Sequence, residues 1–279
     1  MQRIITLTTD FGYRDHYVGA LKGKIYSNIS GCNIVDITHE ISKYNTEDAG
    51  FVIGAAYNQF PQGTIHIIAV DASVTDYTKA ICVEYDGHYF ITADNGIVSI
   101  ILGEESFDKA VHIKHDGMMK SNDIFVYCAY QLLEGRRLEE IGDSLESIYN
   151  PSRLAMSVSL LPNKITGKVI YEDSYGNLVT NIHRSDYDVV SNGNTKYAIR
   201  FKDYRISRIS NHFADFKTND IATLKERAGE LVAVFNDVDL LTIGLFYSRP
   251  DSPGGTPRQL MNLNLNDTIV VEFDPEAQY

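Results

Sequence analysis

A change of rhythm along the chain limits the fold most: strands alternate with helices in the first half and follow one another closely in the second. Ile4 to Thr8 is a short β-branched run, and Thr9 to Tyr13 carries turn chemistry. Val18, Leu21, Ile25 and Ile29 then recur at helical spacing. Asn33 to Ile37 reads as a second strand. Asn45 or Thr46 is placed to cap a helix with the apolar stripe Ala49, Val52, Ile53, Ala56 and Tyr57. Gly63 to Asp71 is almost continuously apolar, as suits a parallel strand covered on both faces. Strand–helix units of this kind predict an α/β fold with a doubly wound, mostly parallel sheet.

Two further β-runs, Ala80 to Tyr85 and His88 to Thr92, flank the hairpin signal Asp86-Gly87. A helix starts near Ser121, buries Ile124, Phe125, Cys128, Ala129, Leu132 and Leu133, and ends at Gly135. The pattern breaks between Asn150 and Asn163. Beyond it lie short β-runs at Ile165 to Tyr171, Leu178 to Ile182, Tyr197 to Phe201, Glu230 to Phe235, Leu240 to Phe246 and Thr268 to Phe273. No long helix separates them, and Ser252 to Pro257 is a loop. The expected division is an N-terminal α/β domain over residues 1–160 and a smaller, mostly antiparallel β domain over 165–279.

Composition narrows the function. A net charge of -12 opposes the neutralisation of phosphate rows, so no nucleic-acid partner is expected. No apolar stretch approaches the ~20 residues of a membrane span. Met1-Gln2-Arg3 leads straight into a strand without a signal-peptide core, which makes the cytoplasm the expected compartment. Cys32, Cys82 and Cys128 lack Cys-x-x-Cys spacing and read as reduced core residues. Glycine-rich phosphate loops, nucleophile elbows and His-Glu-x-x-His are absent from the sequence. The eight histidines show no ligand spacing; His112 and His115, the nearest pair, read as a solvated loop, and no metal is expected.

Ligands of open parallel sheets bind where strands end. Asp10 follows the first strand, Asp36 lies in the second and Asp71 ends the third, with Asp15 opening the first helix. Asp10 and Asp15 have a structural alternative as helix caps. Asp71 closes a very apolar strand, where a carboxylate needs a reason to be present. A second cluster runs from Asp173 to Ile182. It reads equally as a glycine-containing turn or as a planar-ligand site, with Tyr175 stacking and Asn177 reading a heterocycle edge.

Taken in order, these segments resemble the S-adenosylmethionine (SAM) hydroxide adenosyltransferases, a family related to the fluorinase and chlorinase enzymes. The resemblance rests on Thr9-Asp10-Phe11-Gly12, Asp15, Tyr17-Val18-Gly19, Lys22-Gly23 and Val35-Asp36-Ile37-Thr38-His39. It continues through Phe60-Pro61, Gly63-Thr64-Ile65-His66, Asp94-Asn95-Gly96, Tyr175-Gly176-Asn177 and Thr180-Asn181-Ile182. It implies a homotrimer that binds SAM between the N-domain of one subunit and the C-domain of a neighbour. Asp10, in the turn with Phe11, would hold the ribose hydroxyls, and Asp15 with Asp173 the methionine ammonium. Tyr44 would pack near the substrate, while Tyr175 and Asn177 would hold the adenine. Water or hydroxide would attack the ribose C5′ and release methionine and adenosine, with SAM as substrate and no cofactor.

The water-handling residues depart from that pattern. Asp71 matches the family Asp, but the family Arg position is Thr78, with Lys79 beside it. His-Gly-Arg-Asp reads Lys120-Ser121-Asn122-Asp123, so Lys120 replaces the His. Ser121 stands at the fluorinase's halide-binding serine, next to a helix N-terminus. The fluorinase's aromatic and threonine, at the Asp71 and Val74 positions, are missing. The segment that contacts the methionine end in relatives reads Ile243-Gly244-Leu245-Phe246. Three readings follow: a SAM hydrolase with a modified water site, a non-catalytic SAM or adenosine binder, and a halide-dependent adenosyltransferase.

Overall fold

Strand β1 (Ile4–Thr9), β-branched at every position but Leu7, is buried along its whole length. The computed structural model describes residues 3–103, 105–151, 158–216, 220 and 225–274, and the chain divides into two units at residues 153/154. In the first unit β1 is followed by α1 (Tyr17–Asn28), β2 (Asn33–Thr38), α2 (Thr46–Ala56), β3 (Ile65–Ala69), β4 (Ala80–Tyr85), β5 (His88–Ala93) and α3 (Ile97–Leu102). β6 (Lys109–Ile113), α4 (Ser121–Leu133), α5 (Leu138–Ile141) and β7 (Gly142–Ser144) complete it. The sheet order is β2-β1-β3-β5-β4-β6-β7. Four neighbouring strands, β2, β1, β3 and β5, are parallel; β4, β6 and β7 extend the sheet in antiparallel pairings.

Helices cover both faces, which explains why these strands are apolar at successive positions. Ile5, Leu7, Ile65 and Ile67 pack with Leu21 and Ile25 of α1 and Phe125 and Cys128 of α4. On the opposite face Ile68, Val70 and Phe90 meet Ala49 and Ile53 of α2 and Ile97 of α3. Each such side chain contributes roughly 1.5–3 kcal/mol by leaving water. Asn45 caps α2 by accepting the Asp48 N–H at 3.0 Å. Asp86 and Gly87, at φ 49° and 73°, form the two-residue β4–β5 turn, with Tyr85 paired to His88. The three cysteines are free and buried. His112 lies half-buried in β6, paired with Ile81, rather than in a solvated loop; His115 is exposed. The extended pairing of β6 with β4 accounts for this difference.

The second unit is a nine-stranded sheet of order β12-β11-β16-β9-β10-β15-β14-β13, with β8 on β9. Its strands are β8 (Ser159–Leu161), β9 (Lys164–Glu172), β10 (Leu178–His183), β11 (Tyr197–Phe201), β12 (Tyr204–Ile206), β13 (Ile209–Ser210), β14 (Leu231–Phe235), β15 (Leu240–Leu245) and β16 (Thr268–Phe273). All pairings are antiparallel except β13 with β14. Its core gathers Ile165, Val169, Leu178, Ile199, Leu241, Ile243 and Phe273. Two short helices, α6 (Arg184–Ser191) and α7 (Pro257–Met261), join the strands. Among the described residues no helix is long and apolar enough to cross a membrane.

Candidate functional site

The chain leaves β1 for β2 on one side and reaches β3 on the other, so the sheet order reverses between β1 and β3. Such a switch point opens a crevice at the carboxyl ends of the strands. Thr9 and Ala69 are in register there, which brings the following Asp10 and Asp71 to neighbouring strand ends. A cavity of about 490 Å³ occupies this place. Asp10, Phe11, Asp15, Tyr44, Asp71, Lys120 and Ser121 all line it. Sequence positions far apart therefore converge on one site.

Asp10 caps no helix. It is 7% exposed, and its carboxylate accepts the Tyr44 N–H at 3.0 Å. That bond holds Tyr44 in the left-handed region, at φ 61°, with its ring exposed. Asp15 is exposed and gives no side-chain cap to α1, whose N-cap is His16. Asp71 also has a left-handed backbone, at φ 42°. Asn95 steadies it by donating its side-chain amide to the carbonyls of Val70 and Asp71, each at 3.0 Å. Backbone strain of this kind persists where the surroundings over-determine it, often beside a ligand.

Lys120 is the N-cap of α4 and Ser121 its first residue, so the start of that helix borders the cavity. Ser121 Oγ accepts the Val74 N–H at 2.9 Å, which leaves its own proton to donate. Thr78 and Lys79 do not line this cavity. Thr78 closes a tight turn, its N–H donating to Thr75 Oγ1 at 3.0 Å and its carbonyl accepting from Thr75 N. Lys79 faces Asp76 at 3.9 Å. Among the lining residues that sequence reasoning gave no role are two lysines, Lys24 and Lys43. Lys24 pairs with Asp123, and Lys43 donates to the backbone carbonyl of Asp10. The cavity thus sets three ammonium groups against three carboxylates.

In the second unit, Asp173, Tyr175 and Asn177 line a separate cavity of about 600 Å³. The β9–β10 turn is organised by Asp173 rather than by Asn177. The Asp173 carboxylate accepts the N–H groups of Tyr175 and Asn177 and the Asn177 side-chain amide, all at 2.9 Å. Tyr175 stands 78% exposed, a ring free to stack. Leu245 and Phe246 line the same cavity, as do Phe213 and Phe235. Gly244 lets Asn177 sit where it does: a Cβ there would come within 2.2 Å of Asn177 Oδ1 and 2.8 Å of Phe213 Cε1. Among the described residues, no group of three His, Cys, Asp or Glu is placed to hold a metal ion.

Fold and cavities define a two-part α/β-plus-β protein with a switch-point site of mixed charge in one unit and an aromatic, amide-bearing site in the other. The chain belongs to the SAM hydroxide adenosyltransferase family: residues 5–142 match its N-terminal domain and 167–270 its C-terminal domain. An (R)-S-adenosyl-L-methionine hydrolase of Methanocaldococcus jannaschii is 26% identical over 275 residues, covering 97% of this chain and 96% of that one. A fluorinase of Actinoplanes sp. is 22% identical over 221 residues, or 66% of this chain and 73% of the fluorinase. The crystal structure of an uncharacterized conserved protein from Thermotoga maritima matches with a TM-score of 0.79 at 26% identity. It covers 96% of this chain and 99% of that one.

Proposed function

We propose that this chain hydrolyses SAM to adenosine and methionine, acting as a cytoplasmic homotrimer in which each site is completed by two copies of the chain. The observation that carries the reading is the meeting of Asp10, Asp15, Asp71, Lys120 and Ser121 in one switch-point cavity. In this reading the Asp10 carboxylate takes the ribose diol and Asp15 the methionine ammonium, with Asp173 as its second carboxylate. Tyr44 packs beside the substrate. Tyr175 stacks on adenine, and Asn177 offers an acceptor and a donor to its edge.

The chemistry asks little of the protein beyond placement. A water oxygen bonds to C5′ while the C5′–S bond breaks, and its electron pair returns the sulfonium to a neutral thioether. The water's proton leaves to solvent through Asp71 or Lys120. These two groups and the Ser121 hydroxyl orient the attacking oxygen, an effect worth about 10²–10⁴-fold in such reactions. Lys79 and Thr78 shape the loop after Asp71 rather than touch the water.

Incubation with SAM followed by chromatography is expected to show adenosine and methionine in equal amounts. Saturable binding without any release would abandon hydrolysis for the second reading, a non-catalytic binder, which the Thr78 and Lys120 replacements favour. Ser121 allows a third product, a 5′-haloadenosine. Its formation only in halide buffer would reassign the nucleophile.

A further inference from the structure

Behind the Asp10 turn lies a histidine with no exposed surface. His39 directly follows β2, and its Nδ1 is 2.8 Å from Oγ1 of Thr9, the residue before Asp10. Thr9 Oγ1 also accepts the N–H of Phe11, the residue after Asp10, at 3.2 Å. The His39 carbonyl accepts the Gly12 N–H at 2.7 Å. Across the ring, Nε2 lies 3.1 Å from Asp36 Oδ1, and Asp36 Oδ2 accepts from Lys22 Nζ at 2.6 Å. The Tyr13 ring meets the imidazole edge-on at 5.1 Å.

One arrangement of protons suits the Thr9 side of the ring. Nδ1 accepts the Thr9 hydroxyl proton and the hydroxyl oxygen accepts from Phe11, while the Asp36 carboxylate faces Nε2 as a charge contact without an aligned hydrogen bond. Burial raises the Asp36 carboxyl, but the Lys22 bond and the facing His39 outweigh that and hold it below its ordinary value, so it stays an anion. A carboxylate–imidazole–hydroxyl series suggests a nucleophile. Thr9, however, is fully buried and meets no substrate, so the series acts on the backbone instead.

We infer that His39 is a positioning residue: with the Asp36 carboxylate facing its Nε2, it clamps the Thr9–Gly12 turn from both ends and so presents the Asp10 carboxylate to the cavity before any ligand arrives. The functional half of this inference rests on Asp10 as the ribose anchor. His39→Leu breaks the His39–Thr9 link alone, while Thr9→Val breaks it and also removes the acceptor of the Phe11 N–H, so Gly12 is the amide to compare between them if one variant fails to fold. His39→Asn keeps an acceptor at the Nδ1 place and serves as the rescue.

Amide hydrogen exchange in ligand-free protein and steady-state kinetics with SAM form the test. Thr9→Val and His39→Leu are expected to speed exchange at Phe11 and Gly12 and raise KM about tenfold, the loss of one charge-linked hydrogen bond, with kcat little changed. His39→Asn should recover most of both. Thr9→Val added to Asp10→Asn should cost nothing further, since the clamp acts through Asp10. Unchanged exchange at both amides overturns the inference, as do fully multiplicative effects in the double variant. If the wild type binds neither SAM nor adenosine, the ribose reading fails alone; faster exchange at Gly12, whose own backbone partner neither substitution removes, still upholds the clamp.

Discussion

Asp10 has two tasks that a substitution can separate. Its carboxylate accepts the Tyr44 N–H, and in the proposed function it also takes the ribose diol. Asn keeps an oxygen for Tyr44 but loses the charge, whereas Ala leaves that N–H without its partner. Asp10→Asn is therefore expected to weaken adenosine binding by roughly 10- to 100-fold, as for a lost hydrogen bond to a charged group, with the melting temperature nearly unchanged. Asp10→Ala should lower both. Calorimetry with adenosine at wild-type affinity for either variant would remove Asp10 from the site. Gly244 makes a second case, because its absent side chain is what admits Asn177. Gly244→Ala should disturb Asn177 and Phe213 at a cost of about 1–3 kcal/mol and weaken adenosine binding, while Gly54→Ala, in helix α2 with the nearest heavy atom 3.9 Å away, should leave binding alone. Equal affinities in the two variants would contradict the close approach. Asp10 and Asp71 were legible in the sequence because a carboxylate after an apolar strand is conspicuous. Lys43 was not: a lysine beside a turn looks solvated until the fold aims its ammonium at the Asp10 carbonyl.

At the scale of elements, the long amphipathic or fully apolar segments were readable and the short uniform ones were not. Helix α4 announced itself through its stripe, its Ser121 start and its Gly135 stop. Ile97–Leu102 is almost wholly apolar and only six residues long, so no period distinguishes helix from strand. Helix α6 escaped because His183 supplies its N-terminal cap, accepting from Ser185, where Ser, Thr, Asp or Asn is the usual signal. The parallel strands also conceal a polar chain. Thr6 of β1, His66 of β3 and His88 of β5 connect through the sheet at 2.7 and 3.2 Å. Burial, and then the neighbouring His88, lower the His66 pKa to about 3, and burial lowers that of His88. The unfolded chain takes up these protons below about pH 6.5, while folded His66 resists until near pH 3. Their neutral burial is fully compatible with folding above about pH 6.5, and stability falls as pH drops below that value by up to about 1.4 kcal/mol per unit for each histidine. Urea unfolding between about pH 7 and 5, above the carboxylate range, should show this decline. A flat midpoint across that window would mean that the pair is protonated in the folded state.

The whole molecule raises a question of assembly that no single residue answers. In the sequence, a switch from strand–helix alternation to strands alone is the mark of two differently built parts. What it could not display is completion of a site, because the Asp10 cavity and the Asn177 cavity belong to separate units of the chain. If each SAM site draws its ribose anchor from one copy and its adenine reader from another, two defective variants can repair each other. Asp10→Asn lacks the first half-site and Asn177→Ala the second. Mixed at equal concentration, dissociated and reassembled at random, they should regain activity in about one quarter of sites, those that join two intact halves in a closed ring. Each variant treated alone should keep only its own weak residual activity at subsaturating SAM, and native mass spectrometry should find three copies per particle. Were every site completed within one chain, each would still contain a damaged half, and mixing would restore nothing. That outcome, or a monomer at catalytic concentrations with full activity, would confine SAM hydrolysis to the single chain and end the trimer proposal.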